Sequence, residues 1–434
     1  MNPPLSREAC AARDAADPLA PLRAQFSLPP GVIYLDGNSL GVLPARAASR
    51  VQQVITEEWG RGLIRSWNDA GWIDLPRRVG DKIARLVGAR PGEVVVADST
   101  SVNLYKVLSA ALRIAGSRTG PTPRRVVVSE RSNFPTDLYI AESLVEQQGM
   151  RLELLDIDDI PARLREDVAV LMLTQVNYRT GRMADMADLS ARAHAVGALA
   201  VWDLAHSAGA VPVDLNGAGA DFAVGCGYKY LNGGPGAPAF CWVHARHVES
   251  FRQPLSGWMG HAAPFVFQPG YEPAPGIARY LCGTPPVLGI AALECGVDTV
   301  LAAEALGGMP ALRAKSVELT ELFIQLVRER LGASGLRPFG PSHAGQRGSQ
   351  VSLAVPVDGS IDGYALMQAL IERGVIGDYR AGDGSAAHPH LLRFGFTPLY
   401  LRYVDVFDAV QVLAELLESG AWREPRFARK AAVT

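Results

Sequence analysis

Lysine is scarce in this sequence. Of 42 basic residues in a chain of 434, only Lys82, Lys106, Lys229, Lys315 and Lys430 are lysines, and arginine carries the rest. A charge needed only at the surface would here be written as arginine. A lysine in apolar surroundings therefore points to a use for its amine, which can lose its proton when desolvated. Excess charge of either sign is lacking too. The 42 basic residues face 44 acidic ones, for a formal net charge of −2, which gives no electrostatic footprint for nucleic acid or an anionic membrane. No apolar run is long enough to span a bilayer. The opening residues, Met1-Asn-Pro-Pro-Leu-Ser-Arg-Glu-Ala-Cys10, lack the basic-then-apolar layout of a signal peptide.

Cysteines are few: Cys10, Cys226, Cys241, Cys282 and Cys295. Their odd number and the absence of C-x-x-C spacing argue against a disulfide framework or a zinc site. They read as core thiols in a reducing cytoplasm. Neither G-x-G-x-x-G nor G-x-x-x-x-G-K-[ST] occurs, which disfavours dinucleotide and P-loop binding. His388-Pro-His390 has no third ligand in register and reads as a solvated loop, so no metal is expected.

What is present reads as an α/β protein. Hydrophobic content of 48% with 20% charged residues is ordinary for a globular chain, and the length favours two domains. Residues 1–30, rich in Pro and Ala with weak periodicity, read as an arm. Residues 45–59 have helical spacing, and 60–76, with Trp67 and Trp72, read as a loop. From about residue 93 strands and helices alternate. Strands are predicted at 93–97, 125–129, 152–155, 168–173, 198–203 and 239–243, and helices at 102–114, 158–165 and 185–197, with another opening at Asn133. That alternation implies a mostly parallel sheet covered on both faces. Residues 251–286 break it with glycines, prolines and aromatics, and a structureless stretch of that length is more often functional than passive. A long helical region, about 287–331, leads into a smaller α+β part with a strand at 349–355, a helix at 361–373, a loop at 374–380, a strand at 391–396 and a helix at 404–418. The reading is an N-terminal arm at 1–30, a large domain at 31–297 and a small domain at 298–434.

Lys229 stands out within Phe222-Ala-Val-Gly-Cys-Gly-Tyr-Lys-Tyr-Leu-Asn232. An apolar strand-like run ends in glycines, which permit a sharp turn and close approach, and the lysine follows. Alone, it reads equally well as a lysine snorkelling at a strand end. Asp203 changes that. It ends the neighbouring run Ala198-Leu-Ala-Val-Trp-Asp203, at the carboxyl end of a buried strand, where open α/β sheets bind ligands. A lysine for an imine and a carboxylate for a ring nitrogen are the two groups that pyridoxal 5′-phosphate (PLP) requires.

Other residues join this pair. Asp98-Ser-Thr-Ser-Val-Asn103 puts hydroxyls and unpaired amides at a helix start, which is either an ordinary cap or a phosphate site. Phe134, just before a helix, is either a core ring or a stacking partner for a flat cofactor. His206 follows Asp203 by three residues. Tyr228 is placed as a phosphate contact or proton donor. Arg393 lies in an apolar strand and must pair with a carboxylate, internal or from an amino-acid substrate.

These residues resemble the fold-type I PLP enzymes, within them the aminotransferase class V group, and there the kynureninase family. The resemblance runs over about residues 31–418. It rests on Leu35-Asp-Gly-Asn-Ser-Leu-Gly41, Asp98-Ser-Thr-Ser-Val-Asn-Leu104, Ser132-Asn-Phe-Pro-Thr-Asp137, Trp202-Asp-Leu-Ala-His-Ser-Ala-Gly209, Gly227-Tyr-Lys-Tyr-Leu-Asn-Gly-Gly234, Gly257-Trp-Met-Gly-His261 and Arg393-Phe-Gly-Phe-Thr-Pro-Leu-Tyr400. It implies a fold-type I PLP-dependent transferase fold, with a mostly parallel sheet in a large domain and a smaller α+β domain. By the resemblance Lys229 is the Schiff-base lysine and Asp203 the partner of the pyridine nitrogen. Phe134 stacks, Asp137, His206 and Thr174 touch the cofactor, and Thr100, Ser101 and Tyr228 reach its phosphate. Trp258 and Thr284 reach the phosphate of a neighbouring subunit, which implies a homodimer with shared sites. Arg393 binds the substrate α-carboxylate.

The implied reaction is hydrolysis of the Cβ–Cγ bond of L-kynurenine, or of its 3-hydroxy form, to anthranilate or 3-hydroxyanthranilate and L-alanine. That places the chain in the kynurenine pathway of tryptophan catabolism. Three other readings remain. A cysteine desulfurase needs a cysteine in a mobile C-terminal loop, and none follows Cys295. A class V aminotransferase is the main alternative, and a non-catalytic PLP-binding regulator is disfavoured because no DNA-reading module is visible.

Overall fold

Seven short runs, all but the edge strand Arg151–Leu155 largely apolar, build the main sheet. The computed structural model describes residues 5–117, 123–250 and 253–430. By internal contacts these fall into two units. The larger holds Arg46–Tyr178 and Met183–Asp298, and the smaller holds the residues through Ala45, Arg179–Arg182 and those from Thr299 onward.

The strands of the larger unit are β1 (Val94–Val96), β2 (Val126–Glu130), β3 (Arg151–Leu155), β4 (Val168–Thr174), β5 (Leu199–Asp203), β6 (Phe222–Gly225) and β7 (Phe240–Val243). Their order is β1-β7-β6-β5-β4-β2-β3. The pairs β2/β3, β2/β4, β4/β5 and β5/β6 are parallel, and β7 runs antiparallel to both its neighbours. Every residue of β4, β5 and β6 is buried. A parallel strand covered on both faces has no polar side to show, which is why these segments read as continuous apolar runs. The helix Thr100–Ser117 covers one face, burying Leu104, Val107, Leu108, Ala111 and Ala115 in one cluster with Val127, Val170, Val201 and Val224. Each large side chain so buried contributes about 1.5–3 kcal/mol.

The smaller unit has an antiparallel sheet of β8 (Arg337–Phe339), β9 (Gln350–Ala354), β10 (Asp378–Arg380) and β11 (Leu391–Gly395), in the order β10-β11-β9-β8. The helix Gly308–Leu331 packs on β8 and β9, and it also packs on the last helix, Tyr403–Ser419.

The N-terminal residues differ from the arm expected for 1–30. Arg7–Ala15 is a helix whose Ser6 cap accepts from the Ala9 amide at 3.2 Å. Its Asp14 carboxylate accepts the amides of Tyr403 and Val404 at 2.6 and 3.0 Å, capping the last helix. Only Cys10 of this helix is buried. Polar caps to distant sequence hold it, and those leave no apolar period to read. Residues 31–45, grouped from the sequence with the large domain, lie in the smaller unit, where Ile33–Tyr34 pairs in parallel with Val375–Ile376. The expected loop at 374–380 therefore contains two short strands. The expected loop at 60–76 holds short helical turns, and Leu75–Ala84 is a helix. The long helical region is broken at Gly307, whose φ of +101° suits glycine and interrupts the coil before Gly308–Leu331.

Candidate active site

The carboxyl ends of three adjacent parallel strands converge on one pocket. Thr174 ends β4 and stands in register with Asp203, which ends β5. Beyond β6 the chain turns through Cys226 and Gly227 to Tyr228 and Lys229. The turn has no room for side chains at two positions. A Cβ on Gly225 would come within 2.5 Å of the Phe240 ring, and one on Gly227 within 2.3 Å of the Pro238 carbonyl oxygen. After β2 the loop delivers Phe134, and the helix Pro135–Gln147 opens with Asp137 in its first turn.

The pocket has a cavity volume of about 80 Å³, and Thr100, Ser101, Phe134, Asp137, Thr174, Asp203, His206, Tyr228 and Lys229 all line it. Nine sequence-predicted residues, drawn from five separate segments, thus meet in one place. Lys229 Nζ lies 3.1 Å from His206 Nε2 and 5.9 Å from the centre of the Phe134 ring. Phe134 is 42% exposed, unusual for a phenylalanine, and is held edge-on by Tyr178 at 5.2 Å. The Asp203 carboxylate accepts the Ala205 amide at 2.9 Å. The Thr174 hydroxyl donates to the backbone carbonyls of Asp203 and Val176, at 3.4 Å each.

Two buried carboxylates share this space with one ammonium. Burial and the charge of Asp203 push the Asp137 carboxyl well above the usual carboxylate range, against the pull of Lys229. Burial raises Asp203 too, and Lys229 and the Ala205 amide counter it. Like charges in one desolvated space do not both ionise readily, so the two carboxyls titrate as a unit. One Asp137 oxygen, Oδ2, is buried with no hydrogen-bond partner. Burial also pushes the Tyr228 phenol above its ordinary value, so it stays protonated at neutral pH.

Three predicted residues fall outside this cluster. Trp258 sits in an aromatic group with Trp67 at 6.2 Å and Phe265 at 5.6 Å, and Thr284 is exposed. Neither lines the Lys229 pocket of its own chain. Arg393 belongs to the smaller unit. It is 1% exposed, its Nε donates to Asp378 Oδ1 at 2.8 Å and its Nη2 to Ser39 Oγ at 2.7 Å. Of the two partners left open for it, Asp378 is the internal one. Burial alone would raise the Asp378 carboxyl, but Arg393 and Arg380 hold it below its ordinary value. Three lining residues were given no role from the sequence, Thr136, Tyr178 and Ala205. Tyr178 follows β4 by four residues, at the same edge as Asp203, and that position was the available signal. Among the described residues no three His, Cys, Asp or Glu side chains are grouped to hold a metal. None of the helices described is long and apolar enough to cross a membrane.

Over 432 residues the chain is 57% identical to a kynureninase of Burkholderia pseudomallei (strain 1106a), covering 99% of this chain and 100% of that one. It is 55% identical over 432 residues to a kynureninase of Pseudomonas fluorescens, with the same coverage. The chain belongs to the kynureninase family. Residues 312–413 match the family model for the kynureninase C-terminal domain. Solved structures share this kynureninase-family fold at low identity. A cysteine desulfurase from Thermococcus onnurineus NA1 superposes with a TM-score of 0.76 at 21% identity, over 92% of this chain and 98% of that one. The cystine C–S lyase C-DES, in complex with cysteine persulfide, gives 0.72 at 15%, over 88% and 97%. These likenesses, with the mostly parallel sheet, establish a shared α/β fold.

Proposed function

We propose that this kynureninase-family chain binds PLP in the Lys229 pocket and hydrolyses L-kynurenine, or its 3-hydroxy form, to anthranilate or 3-hydroxyanthranilate and L-alanine. The observation that carries the reading is the Lys229 amine, poised beside His206 above the exposed Phe134 ring, in a pocket floored by the buried Asp203 carboxylate. The residues fit the cofactor. Phe134 offers a face to a flat ring, Asp203 an acceptor for a protonated ring nitrogen, and the unpartnered Asp137 Oδ2 a further polar contact. The start of the helix Thr100–Ser117 offers hydroxyls and orphan amides to a phosphate.

When bound, PLP supplies a carbonyl for imine formation and an electron sink for charge developing on the substrate. The chain's own groups handle the protons. The Lys229 amine is the base placed to move the proton on substrate Cα. Asp203 would hold the protonated ring nitrogen and so favour its cationic form. One water is consumed: its oxygen goes to the side-chain carbonyl carbon, which leaves as the carboxylate of the aromatic product, and Cβ gains a proton to become the alanine methyl. Tyr228, protonated at neutral pH, is the acid assigned to Cβ. Arg393 is assigned the substrate α-carboxylate on the family's pattern, with Asp378 and Ser39 fixing its guanidinium.

The rest of the reading follows the family's pattern. Trp258 and Thr284 serve the site of a neighbouring subunit in a homodimer, the protein works in the cytoplasm, and its reaction belongs to tryptophan catabolism. The test is to incubate PLP-loaded protein with L-kynurenine and measure anthranilate fluorescence and alanine together. Equal amounts of both support the reading. Pyridoxamine phosphate accumulating without anthranilate would replace it with transamination.

A further inference from the structure

We infer that Lys106 is a positioning residue for the turn Asp98–Ser101, through which the pocket would hold the cofactor phosphate. The inference rests on the PLP reading of that pocket. Lys106 lies in the second turn of the helix Thr100–Ser117 and is 0% exposed. Its neighbours along that helix, Leu104, Val107, Leu108 and Ala110, are apolar and buried. A buried ammonium is costly, and an apolar residue in its place is often as stable or more so. Packing therefore does not explain a lysine there.

Its contacts do. The ammonium donates to the Asp98 carboxylate and, at 2.7 Å, to the carbonyl oxygen of Tyr280. Asp98 has a φ of +47°, a left-handed conformation that few non-glycine residues adopt. That conformation reverses the chain between β1 and the helix, so that Thr100 and Ser101 come to the pocket wall. The turn is fixed on its other sides as well. The Ala239 amide donates to the Asp98 carbonyl at 2.9 Å, Asn103 Nδ2 to the Ala97 carbonyl at 2.8 Å, and the Val102 amide to Ser99 Oγ at 3.3 Å. Of these clamps, Lys106 is the one that grips the Asp98 side chain. It also ties the turn to the segment after Gln253, through Tyr280. A phosphate cradle works only if its donors are already in place, so the ammonium's role is to hold that geometry before the ligand arrives.

The test compares two aldehydes that differ only in the phosphate. Full-length protein freed of cofactor is titrated with PLP and with pyridoxal, following the visible absorbance band of each. Lys106→Met is expected to weaken PLP at least about tenfold while changing pyridoxal by less than about twofold. If Lys106→Met fails to fold, the double variant Lys106→Met/Asp98→Asn replaces it, since it leaves neither charge stranded and asparagine tolerates the left-handed turn. The same split is expected there. Equal weakening of both aldehydes, or no change in either, in a folded variant would overturn the positioning role. Failure of the unmodified protein to form any visible band would instead overturn the PLP reading on which the inference rests.

Discussion

The amine of Lys229 and the imidazole of His206 meet at 3.1 Å, although 23 positions separate them in the chain. The contact joins the turn after β6 to the turn after β5 and aims the amine over the Phe134 ring. Lys229→Ala is expected to remove the visible band of bound PLP and lower kynurenine turnover by about 10³-fold or more. His206→Asn, which keeps a polar group in place, is expected to retain the band and lose only about tenfold. Absorbance spectra and anthranilate release check both. Normal turnover by Lys229→Ala would rule out the mechanism.

The two buried carboxylates are expected to respond unequally to the same change. Asp203→Asn removes the carboxylate proposed to hold the ring nitrogen, and kcat should fall by about 10²-fold or more. The Asp137 carboxyl is pushed well above the usual carboxylate range, so the neutral amide of Asp137→Asn should cost far less activity. It should also change the pH dependence of the cofactor-free protein. A carboxyl raised on folding contributes stability that is present at low pH and lost as pH rises above its unfolded value. Thermal unfolding between pH 4 and 8 should show that loss in the unmodified protein and less of it in Asp137→Asn.

Asp36, in the smaller unit, gives a separate pH signature. Burial and the Asp378 charge push its carboxyl up to about 7, against Arg393, Ser39 and Arg380. Because the shift is upward, the folded state binds the extra proton. Stability should then fall as pH rises from the ordinary carboxylate range to about 7, by at most about 1.4 kcal/mol per pH unit. Asp36→Asn should flatten that part of the profile. An unchanged slope in a denaturant titration series would show that the group does not titrate there.

Leu108 is 0% exposed between the helix Thr100–Ser117 and the sheet. Leu108→Ala is expected to destabilise the protein by about 2–5 kcal/mol through lost burial and the cavity left behind. Urea unfolding reads this directly. A loss below about 1 kcal/mol would mean that the layer collapses to fill the gap.

Much of the fold was legible because buried parallel strands have no polar side to interrupt them. The runs ending in Thr174, Asp203 and Gly225 announced both the strands and the edge where ligands bind. Lys229 and Asp203 were legible as a pair because each follows such a run, and one of only five lysines was an improbable choice for mere surface charge. The helix Arg7–Ala15 was not legible, since its partners are the amides of Tyr403 and Val404, nearly 400 residues away. Tyr178 was missed because its one signal, a place in the four residues after the run ending in Thr174, is shared by every other residue of that loop.

Local order thus determined which residue types stand at strand ends and helix starts, and with them the chemistry available. Tertiary structure alone decided that Asp137 and Asp203 share one desolvated space, that Arg393 is held by Asp378, and that Lys106 grips Asp98. The reason is electrostatic. A charge's behaviour depends on the solvent removed from it and on the charges brought near it, and only folding fixes either.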